Sequence, residues 1–303
     1  MDSVLVLLSS YNGECYISEQ IDSILAQVGV DVHLLIRDDG SSDNTVSIIT
    51  NYVEHDSRVK FYQNGNLGCA ASFFDIVKSA PKYSYYAFCD QDDYWHSDKL
   101  KIAVEKLKTF DESKPNLYLS NQRIVDEKLN LMAYRLNKPA KIKNCYTSLV
   151  EFIAVGCTEV FNYETKRLIE NHLPCNKQVM HDAWVYISCN FFGNVYYDFE
   201  SHIDYRQHSN NVIGYKTNKY SILKERLKRL SAMSLQPRVF YSYQVLDVFG
   251  SELSGVHIEK LNKIVHYKKN IISRLSLLFD FQIKASSISR DLRYRFLIIW
   301  GLI

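Results

Sequence analysis

Residues 85–95 read YYAFCDQDDYW, an apolar run that changes at once into a cluster of acids. The run Tyr85–Cys89 is continuous, as is typical of a strand buried on both faces of a parallel sheet. Three aspartates then follow within four residues, at Asp90, Asp92 and Asp93. Because ligands bind beyond the carboxyl ends of parallel strands, the sequence predicts a binding site at this loop.

Outward from this stretch, short apolar runs alternate with segments whose apolar residues recur at helical spacing. The predicted strands of the first 120 residues are 4–8, 32–36, 59–62, 85–89 and 117–120. The predicted helices between them are 17–28, 46–53, 69–77 and 99–110. This alternation of strands and helices predicts an α/β fold with a mainly parallel sheet flanked by helices.

Beyond residue 120 the pattern changes twice. Residues 152–155, 160–161 and 195–197 look extended, whereas 164–171 and 182–192 look helical. From residue 219 onward, lysines and arginines interleave with leucines and isoleucines, which predicts helices with basic amphipathic faces. We therefore predict an α/β domain over 1–218 and a C-terminal helical appendage over 219–303.

Composition and charge argue against several classes of protein. The 303 residues include 36 basic and 34 acidic side chains, and the net charge of +2 does not fit a polycation that binds nucleic acid. The seven cysteines are odd in number and lack CxxC spacing, so neither a disulfide framework nor a zinc site is expected. We expect no signal peptide, because no basic region precedes the short first apolar run. We expect no membrane span, because no uncharged apolar run reaches about 18 residues.

The acidic loop has two interpretations at this point. Neighbouring carboxylates repel one another unless a cation or several donors neutralise them. Oxygen ligands on a short loop suit Mg²⁺ or Mn²⁺, which keeps coordination positions open for phosphate oxygens. The second predicted strand also ends in acids, Asp38 and Asp39, which favours a functional sheet edge. The alternative is a solvated acidic turn in which Asp93 or Ser97 caps the next helix.

Four segments, taken in their order and spacing, resemble glycosyltransferase family 2. They are SYNG at 10–13 followed by 16–27, DDGSSDNT at 38–45, NLG at 66–68 and DQDDYW at 90–95. The resemblance covers roughly residues 3–215 and implies the Rossmann-like GT-A fold of inverting, nucleotide-sugar-dependent transferases. HDAW at 181–184 and YRQHSNN at 205–211 are similar to the rhamnosyltransferase-like branch, whose members build bacterial surface polysaccharides. Neither a GxGxxG motif after the first strand nor a P-loop is present, which argues against a nucleotidyltransferase or a nucleotide-binding dehydrogenase.

The resemblance implies roles on the donor side of the site. The residues that it places around the nucleotide-sugar are Ser10, Tyr11, Glu14, Asp39, Asp90, Asp93 and Arg206. Asp39 would accept the N3–H of a pyrimidine, since a carboxylate suits an imide donor. Asp93 would face the donor sugar or orient its loop. Asp92 and His208 are implied as ligands of a Mn²⁺ or Mg²⁺ ion on the diphosphate.

The resemblance also implies the catalytic base and an acceptor side. Asp182 matches the base that takes the proton of the acceptor hydroxyl. Trp95, Trp184 and His181 are the candidates for acceptor contacts. The alternatives are structural, because an acid at a helix start is favoured by the helix dipole and tryptophans commonly lie in a core.

Partners follow from the same resemblance. The expected donor is dTDP-rhamnose or a UDP-sugar, and the expected acceptor is a glycan linked to a polyprenyl diphosphate, as in capsule, O-antigen or cell-wall synthesis. We expect a cytoplasmic enzyme that is peripheral at the inner face of the cytoplasmic membrane, with the basic appendage on the membrane surface. The appendage could instead form a homodimer interface or a solvated face. For the whole chain, the alternative is a non-catalytic protein that binds nucleotide-sugars on a transferase fold.

Overall fold

The computed structural model of the protein describes residues 1–135, 144–208 and 237–303. Among these, one compact unit comprises 1–135, 154–173 and 177–208, and a second comprises 144–153, 174–176 and 237–303. Three parts of the sequence analysis lie outside the described residues. These are Asn210 and Asn211 of the YRQHSNN segment, the predicted boundary at 218, and residues 219–236 of the appendage.

The first unit is built on a nine-stranded sheet with the order β3-β2-β1-β4-β8-β6-β9-β5, to which β7 adds by pairing with β6. The strands are β1 Ser3–Ser10, β2 Asp31–Asp38, β3 Val59–Gln63, β4 Tyr85–Cys89, β5 Tyr94–Trp95, β6 Asn116–Val125, β7 Leu131–Arg135, β8 Val160–Asn162 and β9 Asn194–Arg206. The helices of this unit are α1 Ile17–Leu25, α2 Thr45–His55, α3 Cys69–Ser79, α4 Lys99–Leu107, α6 Tyr163–Asn171 and α7 His181–Phe192. A short 3₁₀ turn, Gly156–Thr158, precedes β8.

The predicted α/β sheet with flanking helices is confirmed, and its second half is mixed. The pairs β3–β2, β2–β1 and β1–β4 are parallel, as continuous apolar runs predict. Beyond β4, the pairs β4–β8, β8–β6 and β9–β5 are antiparallel, whereas β6 and β9 are parallel. No strand forms at 152–155, which lies between the helix Tyr146–Val150 and the 3₁₀ turn.

The register of the parallel half brings the loops of interest to one edge. Ser10 lies opposite Asp38, and Leu8 lies opposite Cys89. All residues of Val4–Leu8 are buried, as expected for a central strand that is covered on both faces. The segments that follow β1, β2 and β4 therefore leave the sheet side by side, at the edge where ligands of such folds bind.

The second unit is helical. It contains α5 Tyr146–Val150, α8 Pro237–Phe249, α9 Gly255–Val265, α10 Ile271–Leu278 and α11 Ile288–Trp300. Lys260 binds the buried carboxylate of Asp280 at 2.6 Å, which ties α9 to the loop after α10. Within the ranges that the structure describes, no helix combines the length and the apolar character needed to cross a bilayer.

Candidate active site

The loop after β1 is held against the loop after β2 by a set of short hydrogen bonds. Asn12 adopts a positive φ of 48°, its backbone N–H donates to Ser41 Oγ at 2.8 Å, and its Oδ1 accepts from the Ser42 N–H at 2.8 Å. The carboxylate of Glu14 accepts from both the backbone and the side-chain nitrogens of Asn44, at 2.9 and 2.8 Å. Glu14, predicted near the base and ribose, therefore joins the two loops.

Asp38 organises the turn that follows β2. Its Oδ1 accepts from the N–H groups of Gly40 and Ser41 at 3.1 and 2.8 Å, and its Oδ2 accepts from the Ser10 hydroxyl at 3.0 Å. Asp38 and Ser10 are both buried. Ser10, also predicted on the donor side, therefore supports the turn that places Asp39.

Asp39 is fixed in a single orientation by three donors. Its Oδ1 accepts from Arg37 Nη1 at 2.5 Å and from the Leu67 N–H at 2.8 Å, and its Oδ2 accepts from the Gly68 N–H at 2.9 Å. The two backbone bonds bring the NLG segment beside the Asp-Asp-Gly turn. Within the described residues, Oδ2 accepts only this one bond, so it keeps a second lone pair for a ligand N–H.

Arg37 is a site residue that the sequence analysis missed. Its guanidinium is fully buried, and it bonds Asp39, Asp75 Oδ2 at 2.8 Å and Ser72 Oγ at 2.8 Å. A buried arginine is retained where carboxylates pair with it. The available signal was an arginine inside an apolar strand directly before two aspartates.

Gln91 couples the acidic loop to the loop after β1. Its Oε1 accepts from the Tyr11 N–H at 2.8 Å, and its Nε2 donates to the Tyr11 carbonyl at 3.0 Å. A Cβ at Gly13 would lie 2.3 Å from Gln91 Oε1, so a larger residue there would displace this amide from Tyr11. The ring of Tyr11 is about half exposed at this junction, so it offers a flat surface to a stacking ligand.

Three carboxylates from two elements meet beyond β4. Asp90 and Asp92 belong to the loop after that strand, and Asp182 lies in the first turn of α7. Burial and the neighbouring carboxylates of Asp92 and Asp182 raise the pKa of Asp90 to about 7. The three carboxylates therefore act on one another electrostatically.

Asp92 and His208, predicted as metal ligands, are in contact. The Nε2 atom of His208 lies 2.8 Å from Asp92 Oδ2. The imidazole stacks on the ring of Tyr16 with their centroids 4.8 Å apart, which fixes its orientation. Tyr16 was not among the predicted site residues, although it lies in the segment after SYNG that carries the family resemblance.

The structure corrects the role predicted for Arg206. This arginine is almost fully buried, and its Nε and Nη1 atoms donate to the carbonyls of Asp92 and Glu127 at 2.9 and 2.6 Å. Its Nη2 atom forms an ion pair with Glu19. The guanidinium is thus engaged by protein groups, so Arg206 positions the acidic loop instead of reaching a diphosphate.

Asp93 holds the same loop from its buried side. Its side chain is fully buried, and its Oδ1 accepts from the Arg206 N–H at 3.2 Å. Burial raises the pKa of Asp93 well above its usual range. Oxygen atoms of Asp90 and Asp93 and the Sγ atom of Cys157 lie within 4.8 Å of one another. Asp93 and Cys157 are closed off from solvent, so they support the acidic loop from the core side.

The residues predicted on the acceptor side divide into one that faces the site and three that do not. Asp182 is partly exposed, and its Oδ1 accepts from the Ala183 N–H at 2.7 Å. Trp95, Trp184 and His181 are buried. The indole of Trp184 donates to the His172 carbonyl. The His181 ring stacks on the Phe73 ring, with their centroids 4.0 Å apart. In this structure the three buried rings therefore form core packing and present no surface to an acceptor.

Glu159 is a second residue that the sequence analysis missed. It directly precedes β8, its backbone carbonyl accepts from the Phe88 N–H, and its side chain is fully buried. Among the described residues, neither of its carboxylate oxygens has a hydrogen-bond partner. Burial, and to a smaller extent the charge of Asp182, raises the pKa of Glu159 well above its usual range. Glu159 is therefore a buried carboxyl group whose ionised form is disfavoured by its surroundings.

We expect Glu159→Met to stabilise the protein, and more so at pH 7 than at pH 5. The unfolded carboxyl ionises above about pH 4.3, whereas the folded one stays protonated. The wild type therefore loses stability as the pH rises, and the variant does not share that loss. The expected gain at pH 7 is about 1–3 kcal/mol in the free energy of unfolding, measured by urea denaturation at both pH values. If the variant and the wild type differed by the same free energy of unfolding at both pH values, the protonated state of the buried Glu159 would be contradicted.

Comparison with known proteins gives a consistent result. The family model described as glycosyl transferase family 2 matches residues 5–167. The dTDP-rhamnosyl transferase RfbG of Shigella flexneri is 31% identical over 224 residues, which are 68% of this chain and 73% of RfbG. The UDP-Glc:alpha-D-GlcNAc-diphosphoundecaprenol beta-1,3-glucosyltransferase WfgD of Escherichia coli is 30% identical over 53% of this chain and 60% of WfgD.

A solved structure shares the fold at low sequence identity. The crystal structure of S. aureus TarS 1–349 in complex with UDP-GlcNAc superposes with a TM-score of 0.60 at 15% identity. The match covers 98% of this chain and 81% of that one. With the family model spanning more than half of the sequence, these findings show that the chain belongs to glycosyltransferase family 2 and has its GT-A fold.

Proposed function

We propose that the protein is an inverting glycosyltransferase that moves a sugar from a pyrimidine nucleotide-sugar to a lipid-linked glycan. The observation that carries this proposal is the meeting of Asp90, Asp92 and Asp182 at the carboxyl edge of the sheet, with His208 bonded to Asp92. The name of RfbG supports dTDP-rhamnose as the first donor to test. The names of WfgD and the TarS complex support UDP-sugars as the alternative.

A divalent metal ion fits the donor side of this site. The loop gathers negative charge, and Asp92 with His208 offers a carboxylate oxygen and an imidazole nitrogen, a donor set that suits Mn²⁺ and also admits Mg²⁺. We propose that Asp92 and His208 hold this ion. When bound, such an ion neutralises the charge that develops on the departing nucleoside diphosphate.

The base in this proposal is Asp182. Its carboxylate takes the proton of the acceptor hydroxyl while the hydroxyl oxygen bonds to the anomeric carbon. The bond from that carbon to the diphosphate oxygen breaks with its electron pair, so the configuration inverts in one displacement. The Ala183 N–H at 2.7 Å and the start of α7 stabilise the ionised carboxylate. Both supports come from a rigid helix end, which keeps the base in place.

The nucleoside end is assigned to Tyr11 and Asp39. The half-exposed Tyr11 ring would stack on the base, and the remaining lone pair of Asp39 Oδ2 would accept the N3–H of uracil or thymine. Ser10 and Glu14 would act through the loops that they hold. Adenine has no ring N–H at this edge, whereas guanine has one at N1, so the comparison of pyrimidine with guanine nucleotides decides this assignment.

A thermal-shift screen of nucleoside diphosphates tests the donor class. We expect dTDP or UDP with Mn²⁺ to raise Tm, and GDP and ADP to have little effect. Asp39→Asn should weaken pyrimidine binding about tenfold or more, because the amide presents a donor or a weaker acceptor to N3–H. Asp75→Asn is the matched control, since it removes the other carboxylate on Arg37 without touching the ligand. A preference for GDP would contradict the assignment of Asp39.

The proposal extends to where the enzyme works. A polyprenyl-diphosphate glycan is anchored in the cytoplasmic membrane, so we propose a peripheral enzyme at its inner face. In this view residues 1–218 form the catalytic domain and residues 219–303 form the membrane-associating or dimer-forming region.

A further inference from the structure

An exposed apolar stripe runs along the outer side of α11. Its five large side chains follow at intervals of four, four, three and one residue, which places them on one helix face. They are Ile288, Leu292, Phe296, Ile299 and Trp300, and each is more than half exposed. The opposite side of the same helix buries Tyr294 and Ile298. The helix is thus apolar on both sides, whereas a surface helix normally turns polar residues outward.

Helix α10 continues this surface. Ile271, Ile272 and Phe279 are each more than half exposed, and Phe281 follows directly after the helix with the same exposure. Single exposed apolar residues are common, whereas nine on or next to two helices that pack together indicate an interaction surface. We call these nine residues of α10, α11 and position 281 the apolar face.

The apolar face is rigid because one arginine joins its two helices. Arg295 of α11 donates to the carbonyl oxygens of Leu277 and Leu278 at the end of α10, and to those of Asp280 and Ile283 in the connecting loop. Arg274 of α10 in turn donates to the Ile299 carbonyl at 3.3 Å. The surface is therefore already assembled before any partner binds.

The charge around the apolar face has one sign. Lys268, Lys269 and Arg293 are exposed. The two acids of this region are engaged: Asp280 is buried against Lys260, and Asp291 pairs with Arg295. Within residues 266–303 no aspartate or glutamate is exposed. A basic rim around an apolar surface complements anionic headgroups over acyl chains.

We propose that the apolar face inserts into the interfacial region of an anionic lipid bilayer. This inference rests on the proposed function in one respect, namely that a lipid-linked acceptor requires the enzyme at a membrane. Helix α11 has 13 residues, so it is about 20 Å long and lies in the interface plane. A second copy of the chain is a poorer occupant, since facing copies would bring their basic rims together.

Vesicle binding tests the proposal, and one tryptophan reports it directly. Of the three tryptophans, Trp95 and Trp184 are buried and Trp300 is exposed. Phosphatidylcholine vesicles containing phosphatidylglycerol should pellet the protein, and brominated acyl chains should quench the Trp300 emission. The triple change Ile288→Gln, Leu292→Gln and Phe296→Gln should weaken vesicle binding at least about tenfold.

A matched control removes apolar residues of similar exposure from the sheet unit. Leu131→Gln with Met132→Gln should leave vesicle binding unchanged. The triple variant should keep the Tm shift on nucleotide addition, which shows that it is folded and separates this inference from the proposed function. No vesicle binding by the wild type would overturn the proposal. The proposal would also be overturned if sedimentation velocity without lipid showed a dimer of the wild type and a monomer of the triple variant.

Discussion

Replacing Asp182 by asparagine is expected to lower the rate of sugar transfer about 10²–10⁴-fold, the usual contribution of a positioned general base. Asparagine has nearly the same shape and can still accept the Ala183 N–H bond, so α7 should begin as before. What is lost is the capacity to take up the acceptor proton. Because the donor is held by other residues, the nucleotide-induced Tm shift should survive. The measurement is kcat and KM with a lipid-linked acceptor, together with that shift.

A matched control for this experiment lies in the neighbouring helix. Glu164 is also an acid in a first helical turn, and it pairs with Arg167 on the surface. Glu164→Gln should leave kcat unchanged. Transfer by Asp182→Asn at the wild-type rate would remove Asp182 as the base. A wild type that binds nucleotide and transfers no sugar to any lipid-linked acceptor would instead favour the non-catalytic alternative.

Replacing Asp92 by asparagine should lower transfer about 10²–10³-fold, comparable to the loss of a main electrostatic contact in other active sites. The change removes the carboxylate that His208 contacts and lowers the negative charge that the acidic loop presents to a cation. Nucleoside diphosphate binding should become weak and insensitive to Mn²⁺. The effect is measured as transfer rate and as diphosphate affinity across a Mn²⁺ titration.

Two comparisons keep this prediction specific. Asp98→Asn removes an exposed acid a few residues further along the chain and should have little effect. EDTA should abolish transfer by the wild type, and added Mn²⁺ or Mg²⁺ should restore it. Full activity in excess EDTA would show that the acidic loop works without a metal ion.

The sheet edge could be predicted from sequence because the two relevant strands are continuous apolar runs with acids at their ends. Strands β6 and β9 were predicted only in part, as 117–120 and 195–197. Ser120, Asn121 and Gln122 interrupt the apolar pattern of β6, yet they are buried, because β6 pairs with three other strands. In such a strand, side-chain polarity no longer reports burial.

Within the site, sequence reasoning located the carboxylates but did not predict which residues hold them in position. Arg206 ends β9 in the motif that points to donor binding, yet its guanidinium contacts Asp92, Glu127 and Glu19. Trp184 and His181 flank the base in sequence, and only their helix orientation turns both inward. These outcomes depend on contacts between residues 79 or more positions apart, or on the direction of one helix face, and local sequence patterns predict neither.

The central claim is that the acidic loop holds a cation and, with it, the diphosphate of an activated sugar. Anomalous diffraction at the manganese edge, from a crystal soaked with Mn²⁺ and dTDP, tests it most directly. The account predicts an anomalous peak beside Asp92 and His208, with diphosphate oxygens bound to the ion and Asp182 facing the open side. A nucleotide bound elsewhere, or an acidic loop that carries no peak, would contradict it.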